Sequence, residues 1–391
     1  IMNIKENPLV AKNSDKYNSI PFSKINSTHF IPAIEYGISE ASKVIDVICN
    51  ESSKPGFDNT IVKFEHAFEI LENSVTVFYH YFASVADDSI RALVSDISDM
   101  NAKFNNDIYL NNDLFLKIKQ VYDNKINLKL SSDDQRLLDE TYDSFIRSGA
   151  NLSDSDKKIY RKISERLSQL SPKYSNNVLN ATNEINDYWI TRSECLKGIP
   201  SNSIEAAKLY AEEKGRPDDW CFTLDTNFGI LLKSCDSEQV REDIFKKYGS
   251  KCNGGEHDNS SILKEISKLR DQKAKLLSFD THADYVLDRR MAKSKDNVYK
   301  LINDLIEPSY ESAKNEYKNI CNYALEQDNK ATINPWDISY YSDKYKEEKY
   351  DFNDECLRPY FKSENVINGV FEVARRLYGL DFKKVDNVDK F

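Results

Sequence analysis

The spacing of apolar side chains predicts that the chain is mainly helical. Between residues 61 and 104, apolar positions recur in alternating steps of three and four, interrupted once by the polar stretch 86–89. Steps of three and four are the period with which an α-helix buries one stripe of its surface. We therefore expect two helices here, with Asp88 or Ser89 capping the second. The apolar positions are Ile61, Phe64, Phe68, Leu71, Val75, Phe78, Phe82, Ile90, Leu93, Ile97, Met100 and Phe104.

The same pattern predicts further helices and a few strands. The helices should span residues 133–147, 154–183, 203–214, 237–248, 260–277 and 296–327. Pro308 should kink or divide the last of these, because proline has no backbone N–H to donate. Short aromatic or apolar runs at 187–191, 221–224 and 229–232 are typical of strands. They predict a small antiparallel β patch around residues 188–232.

Together these patterns predict a mainly α protein, built as a multi-helix lobe or lobes with a small antiparallel β patch. A chain of 391 residues is long enough for two or three domains. We expect an N-terminal helical lobe at 1–185, a mixed segment of short strands and helices at 186–295, and a helical segment at 296–391.

Charge and composition exclude some classes of function. The formal net charge is −10, and basic residues alternate with acidic ones, as in residues 344–355. This argues against a nucleic-acid surface, which needs clustered Lys and Arg. No apolar run approaches the roughly 20 residues that a membrane span needs. Seven cysteines without a Cys-x-x-Cys pair are typical of reduced thiols, so we expect a cytoplasmic protein. An exported form whose signal was removed stays open.

Histidine spacing shows no recognisable catalytic set. The five histidines are His29, His66, His80, His257 and His282, and no two are four residues apart. A helical zinc hydrolase needs two imidazoles one turn apart, because positions i and i+4 share a face and can meet one ion. His66 and Glu69 resemble part of an inverted zinc motif, but Ile70 stands where a second histidine is needed. We therefore expect a structural or surface role for that pair.

One segment, Pro335 to Tyr341 (PWDISYY), concentrates large aromatic side chains. Asn334 followed by Pro335 suits a helix start, with asparagine as cap and proline at the first helical position. Trp336 and Tyr340 would then share a helix face, with Tyr341 turned about 100° away. Such aromatics either seal a core or line a peptide channel, and both interpretations stay open.

The candidate site residues are therefore Trp336, Tyr340, Tyr341 and Arg358, as a possible wall of a peptide channel. Arg358 can either pair with an acid inside the protein or meet a substrate carboxylate.

A series of segments carries a resemblance to a known family. The segments are NPL (7–9), FSKINSTHFIPAIEYGI (22–38), FDNTIVKFE (57–65), NDIYLNNDLF (106–115), LKGIPSNSIEAA (196–207), FTLDT (222–226), HDNSSILKEISKLRDQKAKLLSFDTHADYVL (257–287), RMAKSKDNVYKLI (290–302), PWDISYY (335–341), LRPYF (357–361) and VINGVFEVARRLYGLDF (366–382). Because these segments follow one another in the order found in the family, the chain resembles the N-terminal portion of the thimet-oligopeptidase family of zinc metallopeptidases. NDIYLN, PWDISYY and LRPYF favour its dipeptidyl carboxypeptidase (peptidyl-dipeptidase) branch.

The resemblance implies an incomplete, clam-like, zincin-type oligopeptidase. The family's His-Glu-x-x-His helix and its third zinc ligand, a glutamate, would lie beyond residue 391. No zinc, other cofactor or catalytic residue is therefore expected within the chain, which should be inactive alone. The intact enzyme would use zinc-activated water to release C-terminal dipeptides.

The resemblance also implies partners. They are short unfolded peptides and the missing C-terminal catalytic half, with no nucleic acid and no membrane, in a monomeric enzyme. The competing hypothesis is a stand-alone helical peptide-binding or scaffold protein derived from the family. Truncation, a proteolytic fragment and a natural short protein all stay open as origins of the chain.

Overall fold

The computed structural model describes residues 3–11, 17–85, 87–351, 354–386 and 388–389, with the backbone alone at 354, 355 and 358. The main helices are α1 Phe30–Asn50, α2 Glu69–Ser84, α3 Val94–Tyr109, α4 Asn112–Asp123, α5 Ser132–Arg147, α6 Asp154–Asn186, α7 Ser201–Glu213, α8 Leu224–Ser234, α9 Glu238–Gly249, α10 Ser260–Leu276, α11 His282–Leu287, α12 Lys295–Asp328, α13 Ile338–Tyr350 and α14 Ser363–Tyr378. Two strands, β1 Asp187–Ile190 and β2 Trp220–Thr223, form one sheet. The predicted mainly α class is confirmed.

The chain divides into two compact units. The first comprises Ile1–Tyr174, Ile262–Arg290 and Val385–Phe391, and the second comprises Ser175–Ser261 and Met291–Lys384. The predicted division into three consecutive segments stays a prediction.

The first unit is built around α1 and the helices that pack on it. α1 lies closest to α2, because Gly37 lets the two backbones approach: a Cβ at residue 37 would come within 2.8 Å of the Leu71 Cα. The fully buried residues Phe30, Phe78 and Phe145 belong to the resulting core. Aromatic rings meet edge to face there, as between Phe30 and Phe78 at 5.3 Å.

The helix predicted from residue 61 begins irregularly. Phe57–Val62 forms a π-helical turn, followed by the short pieces Lys63–Glu65 and His66–Phe68 before α2 begins. Ile61 and Phe64 are nevertheless buried, so the apolar stripe still faces the core while the backbone changes its type of turn. The periodicity predicted the buried face correctly but not the uniform helix.

The second unit contains the sheet. β1 pairs with β2 in antiparallel register, with Asp187 opposite Thr223 and Ile190 opposite Trp220. These strands confirm the predictions at 187–191 and 221–224 to within a residue. The strand predicted at 229–232 is wrong, since these residues lie inside α8. Leu224, Phe228 and Leu231 recur at helical spacing, and the four-residue run was too short to reveal that period.

α12 continues through Pro308 as a single helix, so of the two predicted effects of this proline the division is wrong, and the kink stays a prediction. Its C-cap is Asn329, whose left-handed φ of 52° closes the last turn, a conformation that asparagine tolerates. Among the described residues, no helix combines the length and the apolarity that crossing a membrane would require.

Candidate functional site

The aromatic segment begins with a turn and not with a helix. The Asp337 amide donates to the Asn334 carbonyl at 2.9 Å, and the Asn334 amide donates to Asp337 Oδ2 at 3.0 Å. α13 starts only at Ile338, with Asp337 as its N-cap. The predicted helix start at Pro335, with Asn334 as cap, is therefore wrong. The Asp337 side chain closes the turn that holds Pro335 and Trp336.

Asp337 is the centre of a buried ionic cluster. Its side chain is 0% exposed and that of Arg241 2%, and Arg241 Nη2 donates to Asp337 Oδ1 at 2.7 Å. Lys330 Nζ lies 2.9 Å from Asp337 Oδ2 and 2.5 Å from Glu238 Oε1. Arg241 also donates to the Cys235 carbonyl at 2.7 Å. Two basic and two acidic side chains thus share one site, and these partners make the burial of Asp337 and Arg241 tolerable.

The hydrogen bonds set the ionisation of these groups. Burial opposes the charge on Asp337, but the bonds from Arg241, Lys330 and the Asn334 backbone outweigh burial and hold its pKa below the ordinary range. The hydrogen bond from Lys330 lowers the pKa of Glu238 in the same way. Both carboxylates are therefore anionic partners and not proton donors at neutral pH.

Tyr340 and Tyr341 lie in the core of the second unit, only 6% and 3% exposed. The Tyr340 ring lies 4.0 Å from the Arg241 guanidinium carbon, and its hydroxyl donates to Asp236 Oδ1 at 2.9 Å. The Tyr341 hydroxyl donates to Asp328 Oδ2, also at 2.9 Å. Burial, followed by these acidic neighbours, raises the pKa of both tyrosines. Both rings are therefore fixed neutral side chains.

Trp336 lies outside α13, so it does not share a helix face with Tyr340. It is half-buried, with its ring 6.1 Å from that of Phe245 and its indole N–H donating to Glu238 at 3.5 Å. The structure thus brings Trp336 and Tyr340 to the same ionic cluster from different elements. A peptide-channel wall made by these residues stays a prediction.

Arg358 is the fourth predicted site residue. Its side chain lies outside the described residues, so both of its predicted roles stay predictions.

Sequence reasoning missed Arg241, Lys330 and Glu238. Arg241 and Asp337 are 96 residues apart, and no spacing rule links an arginine on α9 to an aspartate in a distant turn. The one available signal was an acid inside an aromatic segment, since a buried acid needs a basic partner.

The described residues contain one group of side chains spaced closely enough to share a metal ion, and it lacks the two imidazoles of a His-Glu-x-x-His motif. Glu184, Glu256 and His257 place one ligand atom each within 4.8 Å of one another, the one such group among the residues described. It offers a single imidazole and two exposed carboxylates, and the His257–Glu184 hydrogen bond of 3.0 Å already accounts for its geometry. His66 is exposed on a separate element. We therefore assign no step of catalysis to a metal in this chain.

A second feature of this unit is apolar surface on two helices. α14 has no buried residue, and the α12 residues from 299 to 319 are all exposed. The large exposed apolar side chains there are Tyr299, Leu301, Ile302, Leu305, Ile306, Tyr310 and Tyr317 on α12, and Val366, Ile367, Val370, Phe371, Val373, Leu377 and Tyr378 on α14. We call these sets the bare faces of α12 and α14.

Comparison with known proteins relates the chain to peptidases. Residues 231–391 match the model of peptidase family M3. Dipeptidyl carboxypeptidase of Salmonella typhimurium is 27% identical over 379 residues, which cover 96% of this chain and 56% of that protein. Oligopeptidase A of the same organism is 27% identical over 392 residues, covering 98% of this chain and 56% of the relative. Oligopeptidase A of Escherichia coli is 27% identical over 375 residues, which cover 94% of this chain and 55% of that protein.

The chain spans little more than half the length of the relatives. The identities to dipeptidyl carboxypeptidase and to oligopeptidase A are equal, so the predicted branch within the family stays a proposal. The resemblance itself is confirmed: residues 231–391 match peptidase family M3, and nearly the whole chain aligns with a dipeptidyl carboxypeptidase and with oligopeptidase A.

Proposed function

We propose that this chain is the N-terminal, non-zinc-binding portion of a zinc metallopeptidase that cleaves short peptides. One observation carries the proposal: 96% of this chain aligns with a dipeptidyl carboxypeptidase, but only 56% of that relative is covered. The one group of three potential metal ligands among the described residues contains a single imidazole, which is consistent with zinc ligands that lie elsewhere in the intact protein.

In the intact enzyme, zinc would supply an activated water that hydrolyses the peptide bond, releasing dipeptides from the C-terminus of short unfolded peptides. This chain would contribute a rigid scaffold. The ionic cluster at Asp337 and the buried Tyr340 fix the aromatic segment. We propose Trp336 and Arg358 as the peptide contacts of this chain. We further propose that the intact enzyme is a cytoplasmic monomer.

The test compares two polypeptides. One is residues 1–391, and the other joins them to the polypeptide of the same organism that aligns with the uncovered part of the relatives. We expect residues 1–391 to hold no stoichiometric zinc and to leave a fluorogenic peptide uncleaved. The longer polypeptide should hold about one zinc per chain and release dipeptides. Turnover by residues 1–391 alone would overturn the proposal.

A control separates adventitious metal from a catalytic one. His257→Ala removes the one imidazole of the Glu184, Glu256 and His257 group, the one group of three potential metal ligands among the described residues. Zinc that disappears with this substitution, without any change in peptidase activity, is surface metal. Retention of about one zinc by the variant of residues 1–391 would contradict the proposal.

The alternative function, a stand-alone peptide-binding protein, is favoured by one observation. A cavity of about 200 Å³ beside β1 is lined by Trp189, Arg192, Gln239 and Asp243, among others. Its charged groups offer partners to both termini of a short peptide. Titration of residues 1–391 with peptides, followed by tryptophan fluorescence, tests this role, with Trp189→Phe as the matched control. Binding without any gain of activity in the longer polypeptide would favour the alternative.

A further inference from the structure

α14 has the sequence of a helix that is covered on one side. Its apolar residues Val366, Val370, Val373 and Leu377 follow one another in steps of three and four, so they share a face. The opposite side is polar, and Glu372 pairs there with Arg375 and Arg376 at 2.8 and 2.6 Å. Yet the large apolar side chains of this helix are all between 40% and 74% exposed. The face has the pattern of a buried one, and none of the residues that the structure describes covers it.

α12 carries an apolar stripe of the same spacing, which is buried near one end of the helix and exposed towards the other. Near its C-terminal end, Ile320 and the fully buried Ala324 pack with Tyr340 and Tyr341 of α13. The stripe continues towards the N-terminus through Ile302, Leu305 and Ile306, at the same three- and four-residue spacing. These residues are 42–62% exposed. Within the described part of the chain, one end of the stripe packs against a partner helix and the other end is exposed.

Bare faces of this kind are costly to leave in water. Contiguous apolar patches of more than a few hundred Å² mark interaction sites on soluble proteins. A helix of 16 residues, such as α14, is only marginally stable in isolation, because most helical stability comes from packing of the amphipathic face. A polypeptide that covers the face would therefore stabilise the helix as well as the complex.

We propose that the bare faces of α12 and α14 are the docking surface for the part of an M3 peptidase that lies outside the match to this chain. This inference rests on the proposed function and adds the surface through which the two parts join. Both helices fall within residues 231–391, which carry the family match. The counterpart helices in the relatives share a molecule with that additional part, since only 56% of a relative is matched.

The chemistry of the surface defines its occupant. The central side chains of both faces, such as Leu305 and Val370, are aliphatic and carry no charge. The occupant must therefore present apolar side chains in a complementary arrangement, as helices of one packed enzyme do. A second copy of this chain is the competing occupant.

The experiment measures binding between residues 1–391 and the polypeptide of the same organism that aligns with the uncovered part of the relatives. Leu305→Glu and Val370→Glu place a charge in the centre of each bare face. Leu209→Glu is the matched control, because Leu209 on α7 is 62% exposed, as is Leu305, but belongs to neither face. We expect a 1:1 complex whose affinity falls by about tenfold or more in the two face variants and is unchanged in the control.

Two results would overturn the surface. One is equal affinity for all three variants. The other is a dimer of wild-type residues 1–391 that becomes monomeric in the face variants, since a second copy would then be the occupant. Peptidase activity separates this inference from the proposed function. If the complex is active and the face variants bind as tightly as the wild type, only the proposed docking surface is refuted. A complex that needs both faces but never cleaves peptides overturns the proposed function alone.

Discussion

Helices α1 and α14 have similar patterns and opposite surroundings. α1 buries seven of its 21 residues, among them Phe30, Ile34 and Ile45. α14 carries an equally clear apolar face over 16 residues and buries none. Periodicity therefore reveals which face of a helix requires a cover, and it does not reveal whether the cover lies within the described residues. In this chain the exposed helix belongs to the segment that matches peptidase family M3.

The largest expected effect comes from the best-covered part of the second unit. Asp337→Ala leaves Arg241 buried without its carboxylate partner, and we expect the free energy of unfolding to fall by about 3–5 kcal/mol. Urea unfolding followed by circular dichroism measures this. The control is Asp343→Ala, which removes a half-exposed pair with Lys233 at 3.0 Å and should cost no more than about 1 kcal/mol. Equal losses of unfolding free energy in both variants would show that the buried cluster stabilises the fold no more than a half-exposed ion pair does.

A pair of isoleucines tests the comparison between the buried face of α1 and the exposed face of α14. Ile34 on α1 is 0% exposed, and Ile367 on α14 is 53% exposed. Truncation to alanine should cost about 2–5 kcal/mol at Ile34 because it leaves a cavity. At Ile367 it should change the free energy of unfolding by less than about 0.5 kcal/mol. A large loss at Ile367 in residues 1–391 alone would mean that its face is already covered.

A pair of glycines should give effects of opposite sign. A Cβ on Gly37 would meet the Leu71 backbone at 2.8 Å, so Gly37→Ala should destabilise the chain by about 1–3 kcal/mol. A Cβ on Gly369 of α14 meets nothing within 4 Å. Gly369→Ala should therefore stabilise the chain by up to about 1 kcal/mol, since alanine favours the helix. Thermal unfolding of both variants checks the signs, and destabilisation at residue 369 would contradict the open surroundings of α14.

The smallest effect concerns pH. The pKa of Asp337 is lower in the folded chain than its ordinary value, so the folded state gains stability wherever this group is ionised. That contribution is complete above about pH 4, the ordinary range of an aspartate, and is lost as pH falls below it through the folded pKa. Unfolding free energies measured from pH 6 down to pH 3 should therefore decline. The unfolding free energy of Asp337→Asn should decline less steeply with falling pH. A slope identical to that of the wild type would refute the lowered pKa of Asp337.

Sequence patterns predicted much of the fold and little of the site. Local periodicity revealed most helices and both strands, because those signals repeat within a few residues. The prediction of a strand at 229–232 failed because four apolar residues fit either period. The helix start at Pro335 failed because a long-range partner, Arg241, fixes Asp337 and the turn before α13. Contacts between residues 96 apart leave no trace in local spacing.

The most direct test of the account is amide hydrogen exchange in α12 and α14. It is measured on residues 1–391 alone and in complex with the polypeptide that aligns with the uncovered part of the relatives. We predict fast exchange over 299–317 and 363–378 in the chain alone and slow exchange in the complex, with α1 protected in both states. Slow exchange of these two helices in the chain alone, or no change on forming the complex, would contradict the account.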